Sequence, residues 1–187
     1  MADATNLVSF PCAIKARLSA FLAIWFFTNG RSREMNRFIL ADSGKCIGCR
    51  TCEVACVVAH QPEQDCARLS SERFVPRIQV VKGSTFSTAV ACHHCEDPPC
   101  GNVCPTGAIR RERDSISVDQ QRCIGCKSCV LACPFGAMQV VMQDAHAQAI
   151  KCDLCQHRTQ GPACVEACPT QALSCIDVTP LRAARLQ

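Results

Sequence analysis

At 187 residues the chain is long enough for one compact unit or two small fused ones, and 19 of those residues are cysteine. A formal net charge of +4 invites a nucleic-acid partner, but there is no lysine and arginine run and no stripe of aromatic residues to carry one. The cysteine content alone would suggest a secreted disulfide scaffold, and the spacing of those cysteines overrides it.

Residues 1–34 differ in character from the rest. Lys15 and Arg17 precede the apolar run Leu18 to Phe27 (LSAFLAIWFF), and the polar stretch Thr28 to Glu34 follows. A run of this length is too short to span a bilayer, so no transmembrane segment is expected. A basic region before an apolar one has the outline of a secretory signal, but no A-x-A-like triplet follows Phe27 and no twin arginine precedes the run. We read 1–34 as a non-native leader or mis-assigned start, with the domain occupying 35–187.

From Met35 onward an internal repeat organises the chain. RFILADSGKCIGC (Arg37 to Cys49) reads as a short alternating strand, a turn and a cysteine loop, leading into Cys46, Cys49, Cys52 and Cys56. Arg77 to Lys82 and Phe86 to Ala91 then read as two strands around the Gly83-Ser84 turn. TAVACHHC (Thr88 to Cys95) opens the second group, Cys92, Cys95, Cys100 and Cys104. SISVDQQRCIGC (Ser115 to Cys126) repeats the first pattern and opens the third, Cys123, Cys126, Cys129 and Cys133. AQAIKCDLC (Ala147 to Cys155) parallels the second and opens the fourth, Cys152, Cys155, Cys164 and Cys168. Three groups end alike, as CPTGAI, CPFGAM and CPTQAL, with a proline suited to the first turn after the last cysteine and a strand expected beyond it.

The first and third groups have the spacing C-x2-C-x2-C-x3-C, the run that holds 4Fe-4S clusters in bacterial ferredoxins. A cubane needs thiolates at the corners of a tetrahedron, and two-residue gaps let a tight loop wrap three sulfurs around one face. The fourth cysteine, expected at the start of a helix or turn, points away; in two-cluster ferredoxins it serves the other cluster. Four groups therefore predict four 4Fe-4S clusters in two reciprocal pairs. Zinc ribbons space their C-x2-C knuckles well apart, unlike these groups. A disulfide framework is excluded by crowding, since sixteen such cysteines cannot pair without strain. Four oxidised clusters with their thiolates bring a charge of roughly −8, making the loaded protein acidic and removing the case for nucleic acid. With so little ordinary core sequence around each group, metal binding should be coupled to folding.

The remaining residues read more plainly. Cys12, Cys66 and Cys175 are taken as small buried hydrophobes or bystander thiols. Arg50, Lys127 and Lys151 stand beside cysteines and are read as solvated charges rather than modulators of a cluster. His93 and His94 are read as loop packing. The longer middle gaps, Glu96 to Pro99 and Gln156 to Ala163, make loops stiffened by Pro98-Pro99 and Gly161-Pro162, which either face a partner or elaborate the surface. No nucleophile with its base, no phosphate-cradling glycine loop and no flavin site is visible. The expectation is an electron conduit, not an enzyme with its own substrate site.

From Met35 to about Thr179 the chain resembles the four-cluster ferredoxin-type electron-transfer subunits of bacterial oxidoreductases, including the formate-dehydrogenase-associated ones of enteric bacteria. The resemblance lies in MNRFILADSGKCIGCRTCEVAC, CHHCEDPPC, CIGCKSCVLACPFGAM and KCDLCQHRTQGPACVEACPTQAL. It implies an α+β fold of tandem bacterial-type ferredoxin-like modules with a pseudo-twofold repeat. The outer module would come from 46–56 and 152–168, the inner from 92–104 and 123–133. It also implies the ligand sets: Cys46, Cys49, Cys52 with Cys168; Cys152, Cys155, Cys164 with Cys56; Cys92, Cys95, Cys100 with Cys133; and Cys123, Cys126, Cys129 with Cys104. The implied role is a relay of single electrons between formate dehydrogenase, or another molybdopterin enzyme, and a hydrogenase or other acceptor. A pyridine-nucleotide-dependent flavoprotein partner and a part in hydrogenase assembly or maturation are the alternatives. A cytoplasmic location, where thiolates stay unpaired, completes the expectation.

Overall fold

The computed structural model describes residues 36–143 and 145–178; the leader reading of 1–34 lies outside the described residues. Each cysteine group is bracketed by two short strands. β1 (Arg37–Ala41) and β2 (Gln79–Lys82) flank the first, β3 (Ser87–Val90) and β4 (Ile109–Glu112) the second. β5 (Ser115–Val118) and β6 (Gln139–Gln143) flank the third, β7 (His146–Ile150) and β8 (Leu173–Asp177) the fourth. All four ladders are antiparallel pairs. β2 pairs with β3, β4 with β5 and β6 with β7, each with its neighbour in sequence, whereas β1 pairs with β8.

The fold is thus α+β, made of two-stranded ladders among the described residues, and such ladders are marginal on their own. Alternation in β1 turns Ile39 inward and leaves Leu40 exposed, but much of what lies inside is cysteine. One buried cluster gathers Cys52, Cys56, Cys92, Cys152 and Cys164 with Ile39, Ile78 and Leu173. A second gathers Cys100 and Cys129 with Ile109, Ile116, Met138 and Ala149.

Four helices complete the fold among the described residues: α1 (Thr51–Ala59), α2 (Pro99–Asn102), α3 (Ser128–Ala132) and α4 (Ala163–Glu166). α1 packs on α4, and α2 packs on α3. The third cysteine of every group is the second residue of its helix, and the fourth follows one helical turn later. Of the helix or turn expected to start at the fourth cysteine, the structure has the turn in three groups: Cys56 lies inside α1, whereas Cys104, Cys133 and Cys168 lie just beyond α2, α3 and α4. A turn follows each of these last three, with the N–H of Gly107, Gly136 and Gln171 donating to the carbonyl of Cys104, Cys133 and Cys168.

The two strands expected around Gly83 form, but shorter. Arg77 is outside the ladder because its N–H donates to Cys56 Sγ at 3.4 Å and its guanidinium is held by Asp153 at 2.6 Å. Glu53 of α1, a buried carboxylate, accepts the N–H of Val80 at 2.6 Å and fixes β2 against the helix.

Candidate metal centres

The loops before α1 and α3 are built alike. Gly48 and Gly125 have φ +66°, and the next-but-one residues, Arg50 and Lys127, are also left-handed, at 62° and 66°. A Cβ on Gly125 would lie 2.3 Å from Ala147 Cβ, so only glycine lets this loop lie against β7. At two cavities the first three cysteines of one group are joined by a cysteine of another, where α2 packs on α3.

Cys104 joins Cys123, Cys126 and Cys129 around one cavity of about 330 Å³, also lined by Ile109, Ile124 and Val140. Cys133 joins Cys92, Cys95 and Cys100 around another of about 330 Å³, with His93, Ile116 and Phe135 in its wall. In the other half of the fold, the Cys56 thiol repels those of Cys152, Cys155 and Cys164, and the Cys168 thiol repels that of Cys49. Cys46 sits in the loop after β1, its N–H donating to Asp42. Cys56, Cys152, Cys155 and Cys164 are all buried, whereas Cys49 and Cys126 are exposed.

The thiols divide the same way electrostatically. Burial pushes Cys52 and Cys100 up to about 11 and Cys152 up to about 12, and raises Cys164 further. Hydrogen bonding to Thr51 lowers Cys49, and hydrogen bonding to Ser128 lowers Cys126. For Cys104 and Cys168 burial pushes upward, but Thr106, Thr170 and nearby backbone groups bring the net shift down. An anionic metal cluster would supply the buried thiols with the positive iron that their ionisation requires.

Several residues matter here that the sequence reading passed over. Asp153, between Cys152 and Cys155, bonds His60 Nε2 at 3.1 Å and Arg77. His60 Nδ1 meets the Cys56 carbonyl at 2.6 Å, so both ring nitrogens are engaged and neither is spare for a metal. Burial lowers the His60 pKa, but Asp153 and Cys56 outweigh it and the value rises to about 9; Asp153 sits below the usual carboxylate range. The Asp in KCDLC was the available signal. His93 is packing, as expected, stacked between Phe135 at 3.8 Å and Phe38 at 4.8 Å. His94 is wholly buried; burial above all, then Lys151 and Arg111, pushes it down to about 2. Its Nδ1 accepts the N–H of Ile116 at 2.8 Å, which puts the ring proton on Nε2, and that buried atom has no protein partner among the described residues. A buried N–H of this kind, beside Cys92 and Cys95, suits a sulfur acceptor and fits an iron–sulfur cluster.

Arg50 is exposed, as read. Lys151 is not: it is buried, at 3% exposure, with Nζ on the carbonyls of Cys152 and Ile116. Of the extra cysteines, Cys66 is exposed rather than buried, Cys175 is half-buried with Arg37 at 3.4 Å, and Cys12 lies outside the described residues.

Thiol donors alone suit an iron–sulfur cluster or a four-cysteine zinc centre, and the chain's family decides between them. The chain belongs to the 4Fe-4S dicluster domain family, whose model matches residues 84–178, and 4Fe-4S clusters are its cofactors. It is an iron–sulfur electron transport protein. Among its relatives in Escherichia coli K12, YsaA, a candidate electron transport protein, is 65% identical over 153 residues, covering 82% of this chain and 98% of YsaA. The electron transport protein HydN is 59% identical over 156 residues, covering 76% of this chain and 89% of HydN. Formate hydrogenlyase subunit 2 is 37% identical over 177 residues, covering 78% and 84%. No helix among the described residues is long and apolar enough to cross a membrane.

Proposed function

We propose that the protein is a four-cluster electron relay of tandem ferredoxin-like modules, without a substrate site of its own. Its clusters are held by Cys46, Cys49, Cys52 and Cys168; by Cys56, Cys152, Cys155 and Cys164; by Cys92, Cys95, Cys100 and Cys133; and by Cys104, Cys123, Cys126 and Cys129. The observation that supports this most is the exchange around the two cavities, where Cys104 and Cys133 each leave their own group to complete the other's ring. When bound, such clusters supply one-electron redox chemistry. The protein's part is to hold each sulfur, exclude water from the two buried sites and leave one ligand exposed at each of the other two, Cys49 and Cys126, where electrons enter and leave.

The partners in this reading are redox proteins: a molybdopterin enzyme such as formate dehydrogenase on one side and a hydrogenase or similar acceptor on the other, in the cytoplasm. The relation to formate hydrogenlyase subunit 2 supports that pairing. Anaerobically prepared protein should contain about sixteen iron and sixteen sulfide per chain; a preparation replete with zinc and lacking sulfide overturns the assignment. Isolation from native cells should recover both enzymes, and the clusters should reduce and reoxidise without loss. A maturation factor would instead surrender them to a client.

A further inference from the structure

The seam between the two interior sites carries a buried positive charge. Lys151 ends the stretch from β7 into the fourth motif, directly before Cys152, and its Nζ donates to the Cys152 carbonyl at 2.8 Å. The same Nζ donates to the carbonyl of Ile116 on β5. Ile116 is 1% exposed, and it lines the cavity ringed by Cys92, Cys95, Cys100 and Cys133. The N–H of Ile116 is taken by His94 of that same motif, so one residue of β5 is gripped from both sides. One residue upstream, Ser115 is also buried and accepts from Gln156 of the fourth motif at 2.6 Å.

Both hydrogen-bond partners of Lys151 among the described residues are main-chain carbonyls, which are neutral. An ammonium taken out of water without an opposite charge is costly, so a site that keeps one should hold a compensating anion. The Asp153 carboxylate is already held by Arg77 and His60, so the anions left for this seam are the two interior clusters, each near −2 with its thiolates when oxidised, as a rough count. We propose that Lys151 is the shared counter-ion of the clusters held by Cys56, Cys152, Cys155, Cys164 and by Cys92, Cys95, Cys100, Cys133. The proposal rests on the ligand sets given above.

Each reduction adds negative charge to a cluster, and a positive group held nearby in a low-dielectric seam favours it. Lys151 therefore raises both interior potentials together, and keeps the join between modules from becoming the hardest step for an electron. The test uses the full-length protein with its clusters assembled anaerobically, carrying Lys151→Gln, which can still donate to a carbonyl, or Lys151→Arg, which keeps the charge. Potentials are read by EPR-monitored redox titration, and a dysprosium chelate, which speeds relaxation of exposed clusters only, marks the interior pair. Lys151→Gln should lower both interior potentials, each by about a tenfold change in the reduction equilibrium, ~59 mV for one electron. Lys151→Arg should stay near the native values. Selective loss of the interior pair in Lys151→Gln, with retention in Lys151→Arg, supports the same role. Unmoved interior potentials, an equal shift of all four clusters, or equal damage from both substitutions overturns it. Iron and sulfide content of the native protein tests the ligand reading separately, so the two failures are distinguishable.

Discussion

Four hydroxyl residues stand two positions beyond a cysteine: Thr51 after Cys49, Thr106 after Cys104, Ser128 after Cys126 and Thr170 after Cys168. Their oxygens lie 3.3, 3.6, 3.5 and 3.7 Å from the respective sulfurs. All four serve the two sites that have an exposed cysteine, and none serves the buried pair. Hydrogen bonds to sulfur favour the more negative, reduced state of a cluster. Replacing Thr51 and Thr170 together by Val should therefore lower the potential of the cluster assigned to Cys46, Cys49, Cys52 and Cys168, with iron content intact; a redox titration that finds it unchanged refutes the role. Backbone strain gives a second residue-level expectation. Gly125→Ala would place a Cβ 2.3 Å from Ala147 Cβ at φ +66°, and should cost about 2 kcal/mol or more in thermal or denaturant unfolding. Gln171 occupies at φ 51° the turn position that Gly107 and Gly136 hold elsewhere, so Gln171→Gly should be neutral or stabilise by up to about 1 kcal/mol.

At the level of elements, one helical turn accounts for the exchange of ligands. Cysteines at i and i+4 share a helix face but differ in height by about 6 Å, so one helix addresses two adjacent sites. Cys56→Ser should then damage the cluster assigned to Cys152, Cys155 and Cys164, and EPR showing loss of only the one assigned to Cys46, Cys49 and Cys52 would contradict the pairing. The grouping of cysteines, the strands on either side and the α+β character were legible because spacing and alternation are local. A short helix after each cysteine loop was legible from the repeat, but its extent was not: α2 and α4 have four residues each, too few for a periodicity to show. Nor was the burial of Lys151, because a lysine beside a cysteine looks the same in a sequence whether its ammonium meets water or the carbonyl of Ile116. Cys66 takes the second of its two readings, a bystander thiol in an exposed turn, because a cysteine's usual preference for the interior does not decide one there.

At the level of the molecule, the interior is cysteine to an extent that makes the cofactor part of the core. Without iron, the buried thiols of one site gain nothing from proximity, and paired ladders of four or five residues have too little apolar surface to hold together. Removing iron and sulfide with a chelator under acid should collapse secondary structure as seen by far-UV circular dichroism. A native-like spectrum from cluster-free protein would show that the polypeptide folds first and loads afterwards.

The pairing of β1 with β8 sets a calendar for biosynthesis. Every cysteine lining the two cavities lies between Cys92 and Cys133, so those ligands are all made before the fourth group. β1 must wait for β8, and Cys46, Cys49, Cys52 and Cys56 remain uncommitted until the fourth group has been made. Cluster delivery should accordingly proceed from the middle outward. Chains truncated after Ile150 and held on the ribosome by a linker long enough to clear its tunnel should already retain about eight iron atoms, and truncated chains that retain none would place all loading after completion.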